Sequence, residues 1–276
     1  MKWQLLSLLI ANVLTLNACS NSNAEGKQAS TNNNAQEKTE ATQKPVQKGT
    51  SSVQTELDKA KKAGKAVFLV VTGTGSTDTD KATAIAKGAN DIYKNSVIIQ
   101  MNRDDAVNAQ LVAEWRLAGA PVPLILVLSS KGLPTGGYIL AQATAENIAA
   151  LVPSPKLEEV YAAIASSKHA IVVFFKKSFV DRTEVVKIAK EAVSKLNNEA
   201  VFVEVDMDDS KENGFMNQLR IDKLSTKACV TLVVNKQGQV AGTSTTVPDA
   251  NKLVAAARTP VRGGCGPGCG PAGCGK

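Results

Sequence analysis

Three cysteines crowd the end of this 276-residue chain, in the stretch Gly263-Gly-Cys265-Gly-Pro-Gly-Cys269-Gly-Pro-Ala-Gly-Cys274-Gly-Lys276. Their spacings are C-x3-C and C-x4-C. Glycine lets such a backbone wrap, and proline turns it without a side chain intruding. Three soft thiolates on one loop suit Cu(I) or Zn(II), although three ligands leave tetrahedral zinc one short. The same thiols could equally pair with each other or with a partner protein, because an odd thiol in an oxidising compartment must find a mate. Only one cysteine, Cys229, lies in the middle of the chain, at the head of an apolar run, where it reads as a small hydrophobe or an accessory thiol.

Other groups invite weaker chemistry. Gly73-x-Gly75 beside Ser76 and Thr77 could cradle an anion at a helix N-terminus, or simply form a loop and cap. Asp104, Asp105, Asp206, Asp208 and Asp209 could be oxygen ligands, but each group sits just ahead of a helix, where aspartate caps. His169, the single histidine, opens a strand beside Lys168 and reads as a surface residue.

The fifth cysteine is an address. Lys2 precedes an apolar run from Leu5 to Leu16, and small residues and Cys19 follow. That order is a secretory signal, too short to span a bilayer of about 30 Å as a stable helix. Leu16-Asn17-Ala18-Cys19 resembles a bacterial lipobox. The resemblance implies cleavage after residue 18, acylation of Cys19 and insertion into membrane lipid, each buried methylene contributing about 0.8 kcal/mol. Ser20 stands where lipoproteins kept at the inner membrane often carry aspartate, which implies the outer membrane, facing the periplasm or the surface.

Residues 19–54 are mostly Asn, Ser, Thr, Gln, Ala, Lys and Glu. Such a segment cannot bury enough surface to offset its chain entropy and reads as a flexible tether. The net charge of +7 comes from lysines scattered among acids, with few aromatics. A nucleic-acid surface needs clustered cations and stacking groups, so that class of partner is excluded.

The body repeats itself. Apolar runs at Ala66–Val71 and Ala170–Phe175 are each preceded and followed by a helical stretch. Asp104-Asp105 and Asp208-Asp209 lie 104 positions apart. Leu124–Leu128 and Leu232–Val234 each lead into a glycine turn, at Gly132 and Gly238, then a short strand and a last helix. Continuous apolar strands suit a sheet covered on both faces. Right-handed crossover makes the first two strands of each copy parallel, and the tight turn makes the last two antiparallel.

This order resembles the thioredoxin fold, twice over: an α/β chain of two consecutive domains, each a mixed central sheet with helices on both faces. The copies are expected at residues 55–153 and 155–259, followed by the cysteine tail at 260–276. Ala118-Gly-Ala-Pro121-Val-Pro123 resembles the stretch that carries the family's cis-proline; Pro121 is the first expectation and Pro123 the second.

The family acts through Cys-x-x-Cys at the end of the first core strand, where a helix N-terminus lowers the thiol pKa. The first copy reads Gly73-Thr-Gly-Ser-Thr-Asp78 there and the second Lys176-Lys-Ser-Phe-Val-Asp181, neither with cysteine. The resemblance therefore implies the fold without the reactive pair. The expected function is a redox-silent scaffold or binding lipoprotein whose tail takes a soft metal, or a thiol-bearing or metal-donating protein. The alternative is a thiol–disulfide oxidoreductase working through Cys265 and Cys269, since Cys265-Gly-Pro-Gly-Cys269 resembles Cys-Gly-Pro-Cys with one residue inserted.

Overall fold

A computed structural model describes residues 52–224 and 227–259. Cys19 and its leader, most of the tether, and Cys265, Cys269 and Cys274 lie outside the described residues.

In the first copy, α1 (Ser52–Lys62) leads into β1 (Ala66–Thr72), α2 (Thr79–Ile92) and β2 (Ser96–Asn102). A 3-10 turn and α3 (Ala109–Glu114) follow, then β3 (Leu124–Leu128), β4 (Pro134–Ile139) and α4 (Ala145–Ala150). The second copy repeats this: α5 (Pro155–Ala165), β5 (His169–Phe175), α6 (Arg182–Lys195) and β6 (Ala200–Asp206). After a 3-10 turn come α7 (Asn213–Leu219), α8 (Ile221–Leu224), β7 (Val230–Val234), β8 (Val240–Ser244) and α9 (Ala250–Arg258).

Each copy has its own four-stranded sheet, in the orders β2-β1-β3-β4 and β6-β5-β7-β8. The first pair is parallel and the other two antiparallel in both. Gly132 and Gly238 adopt φ of 77° and 78° at the hairpin turns, a conformation open to glycine at little cost. This is the thioredoxin-like fold, present twice.

Central strands β1 and β5 are buried on both faces, which is why their sequences run apolar without alternation. On one face of the first sheet, Val67, Leu69 and Val71 pack with Val53 and Leu57 of α1 and Leu111 of α3. On the other, Phe68 and Val70 pack with Ala82, Ala86 and Ala89 of α2 and Ile148 of α4. Alanine dominates that α2 stripe, so the helix lies close to the sheet. The second sheet is covered likewise, by α5, α7 and α8 on one face and by α6 and α9 on the other. Each large apolar side chain so buried contributes about 1.5–3 kcal/mol.

The cis peptide bond is Val122–Pro123, which corrects the first expectation of Pro121. Pro123 directly precedes β3, and its carbonyl accepts a hydrogen bond from Leu140 N–H at 3.1 Å. The two prolines stand two residues apart, and where β3 begins tells them apart.

Candidate functional site

The family's chemistry belongs at the C-terminal ends of β1 and β5, where the loops before α2 and α6 face the loops before β3 and β7. In the first copy that rim is filled by its own hydrogen bonds. Gly73 N–H donates to Ser76 Oγ at 2.8 Å, and Thr74 N–H donates to Asp104 Oδ2 at 2.6 Å. Two of the loop's main-chain donors are thus taken, and one of them is held by a carboxylate. A Cβ on Gly73 would stand 3.0 Å from that carboxylate oxygen and 3.3 Å from Val122 Cγ2, so glycine is what lets the loop lie this close. The expected side-chain N-cap of α2 is not made. Asp78, at φ 61°, makes no capping bond and pairs with Lys81 at 2.6 Å.

Asp104 has a second neighbour, since Arg103 Nε stands 3.6 Å from its Oδ1. The Arg103 guanidinium donates to the carbonyls of Leu117 and Ala120, bracing the segment that leads to Pro123. Arg103 is thus a strut between two loops. Nothing local in the sequence marks an arginine whose partners lie 14 and 17 residues on.

The other aspartates divide as capping chemistry requires. Asp105 accepts from Val107 N–H and Asp209 from Lys211 N–H, each at the head of a 3-10 turn. Asp208 pairs with Lys176 at 3.1 Å, so in both copies this aspartate ties down the loop after the central strand. Among the described residues no group of three or more His, Cys, Asp or Glu is placed to hold a metal ion.

Cys229 lies where Pro123 lies in the first copy. Pro123 precedes Leu124, which pairs with Val71, the sixth residue of β1. Cys229 precedes Val230, which pairs with Phe174, the sixth residue of β5. The thiol therefore faces the N-terminus of α6, the place from which a thioredoxin's cysteine would attack. It is completely buried, packed with Phe175, Phe179 and Val233. Burial first, and then the adjacent Asp181 carboxylate, push its pKa up to about 12. Thiolate is the nucleophile and the metal ligand, so this environment suppresses both roles. Beside it Arg182 lies 3.9 Å over the Phe175 ring and pairs with Glu204 at 3.2 Å.

His169 is buried, 5% exposed, which corrects its reading as a surface residue. Its Nδ1 has no hydrogen-bond partner among the described residues, and burial, with Lys236 and Arg258 nearby, lowers its pKa despite an opposing pull from Glu199. It opens β5, whereas Cys229 flanks the other end, six residues or about 20 Å away at ~3.3 Å per residue. The two cannot share a metal.

No family model matches the chain, and no curated protein matches it. Solved structures do. The first two thioredoxin domains of Saccharomyces cerevisiae Eps1p are 10% identical, over 74% of this chain and 96% of that one, with a TM-score of 0.29. The zinc-bound form of human ERp44 is 12% identical, over 64% of this chain and 50% of that one, at 0.30. The N-terminal domain of alkylhydroperoxide reductase AhpF from Enterococcus faecalis is 12% identical, over 74% and 98%, at 0.24. These likenesses concern the chain fold, which the strand order already establishes.

Proposed function

We propose that this chain is an outer-membrane lipoprotein, held through acylated Cys19, in which two redox-silent thioredoxin-like domains present a C-terminal cysteine tail. The tail takes a soft metal, Cu(I) or Zn(II), or the thiol of a partner protein. One observation carries the reading. The loops at the ends of β1 and β5 hold no cysteine, and the one thiol near them among the described residues, Cys229, is buried and kept protonated. Accessible thiol chemistry then falls to Cys265, Cys269 and Cys274. Glycine and proline surround these residues, so packing does not account for them. The lipobox resemblance and the polar tether support the anchoring.

The test is anaerobic titration of the reduced, mature chain with Cu(I) and with Zn(II), with and without residues Gly263 to Lys276. Binding lost on truncation supports the proposal. Equal binding by the truncated chain moves the site into the body and overturns it. If instead one tail thiol has a low pKa and cycles with a disulfide substrate, the protein is an oxidoreductase acting through Cys265 and Cys269. For the anchor, Cys19→Ser should abolish palmitate labelling in the native host; unchanged labelling would sink that part.

A further inference from the structure

Because the chain holds the same fold twice, each copy is a control for the other, and one buried feature has no counterpart. Glu158 lies in the first turn of α5, in the second copy, and is only 7% exposed. Its carboxylate reaches back into the first copy. The Ser130 hydroxyl donates to it, 2.9 and 2.8 Å from its two oxygens, and Lys131 N–H donates to Oε1 at 2.9 Å. Both donors belong to the β3–β4 turn, which Ser129 N–H and Gly132 N–H close by bonding to Leu133 and Ser129 carbonyls.

The corresponding positions are built differently. With Ser52–Lys62 laid on Pro155–Ala165, Glu158 falls on Thr55, an exposed residue. The turn Ser129-Ser130-Lys131-Gly132 falls on Asn235-Lys236-Gln237-Gly238, where Lys236 instead pairs with the exposed Glu199. Hence the buried carboxylate and its serine occur only where the copies meet. A fold requirement would have placed them in both.

The short connection between the copies is held by a second buried carboxylate. Glu212, 2% exposed, accepts from the Ser154 hydroxyl at 2.5 Å and from Lys156 N–H at 3.0 Å. It pins the start of α5 to the second copy, so α5 cannot swing away from its own domain while Glu158 holds the other. Buried carboxylates are costly unless fully hydrogen-bonded, and removing their partners is expensive. Here the donors are a hydroxyl, main-chain N–H groups and the favourable end of a helix.

We propose that Glu158 is a joint residue, locking the β3–β4 turn of the first domain to the first helix of the second, so that the two domains move as one body. The lock is independent of what the tail binds.

The test is hydrogen exchange and small-angle scattering on the full mature chain, comparing Glu158→Ala, Glu158→Gln and Ser130→Ala with the parent. Loss of a bond to a carboxylate should speed exchange of the Lys131 amide by roughly tenfold or more. The amide of Val70, in the middle of the first sheet, should not change, and the radius of gyration should rise. Glu158→Gln keeps an acceptor oxygen and should fall between. If Glu158→Ala does not fold, Ser130→Ala carries the same reading, since it deletes only a hydroxyl. Unchanged Lys131 exchange and scattering in both variants would overturn the proposal. Equal acceleration at Lys131 and Val70 would also overturn it, by showing a general loss of stability instead of an opened joint.

Discussion

The main-chain N–H of Cys229 donates to the Asp181 carboxylate, 3.0 Å from one oxygen and 3.3 Å from the other. This contact ties the segment ahead of β7 to the residue that precedes α6. It also sets a negative charge against a buried thiol. A thioredoxin uses the helix N-terminus at this point to favour thiolate. Here the aspartate works against it.

Cys229 should therefore be inert while the domain is folded. In a chain lacking Gly263 to Lys276, a thiol reagent at neutral pH should label it only on the timescale of unfolding, and at once in denaturant. The sign of the linkage gives a second readout. Its folded pKa, about 12, lies above the unfolded value, so its contribution to stability is complete below pH about 9 and is lost as pH rises toward 12. Urea midpoints across that window should fall less steeply in Cys229→Ala than in the parent. Rapid labelling of the native chain would refute the assignment.

His169 should make the second domain sensitive to acid. Its folded pKa lies below the usual 6.5, through burial and then Lys236, with Arg258 adding and Glu199 opposing. The folded state prefers the neutral ring, so the contribution is present above pH about 6.5 and is lost as pH falls below that value toward the lower folded pKa. Stability measured from pH 8 to 5 should drop, and His169→Gln should flatten the drop. Parallel curves for the two proteins would show that other groups are responsible.

Phe174 anchors one face of the second sheet, fully buried with its ring 5.2 Å from that of Phe215. Phe174→Ala should cost about 3–5 kcal/mol, transfer and cavity together. In the first domain Val70→Asp should be worse, because it buries an unpaired charge among Phe68, Ile125 and Ile148. Circular dichroism melts should show a large downward shift for the first variant and loss of one domain's transition for the second.

Gly88 interrupts α2 where the helix meets α4. A Cβ there would stand 2.9 Å from Ala145 Cβ. Alanine in a helix interior is favoured over glycine by up to about 1 kcal/mol. Overpacking costs about 1–3 kcal/mol, so the clash should win. Gly88→Ala should lower the melting temperature by a few degrees; a rise would mean that α4 moves aside freely.

The architecture was legible in the sequence because it is written in local periodicity. Seven-residue apolar strands such as β1 and β5 announce burial on both faces, and repetition of Asp-Asp and of the turn glycines announces the duplication. That the loops after β1 and β5 carry no cysteine is read directly off the sequence next to the strand ends.

What only the tertiary structure decided involves register or partners distant along the chain. Choosing Pro123 over Pro121 depends on which residue starts β3, and that start is set by the pairing of Leu124 with Val71. The burial of His169 depends on the Glu199–Lys236 edge closing over the start of β5. Arg103, Asp181 and Glu158 sit in stretches with ordinary polar patterns, and their roles come from partners 14 to 48 residues away. Polarity along a chain reports whether a group can meet water. Which buried donor a carboxylate meets instead is set when the sheets and helices pack, and Glu158 shows this across two domains.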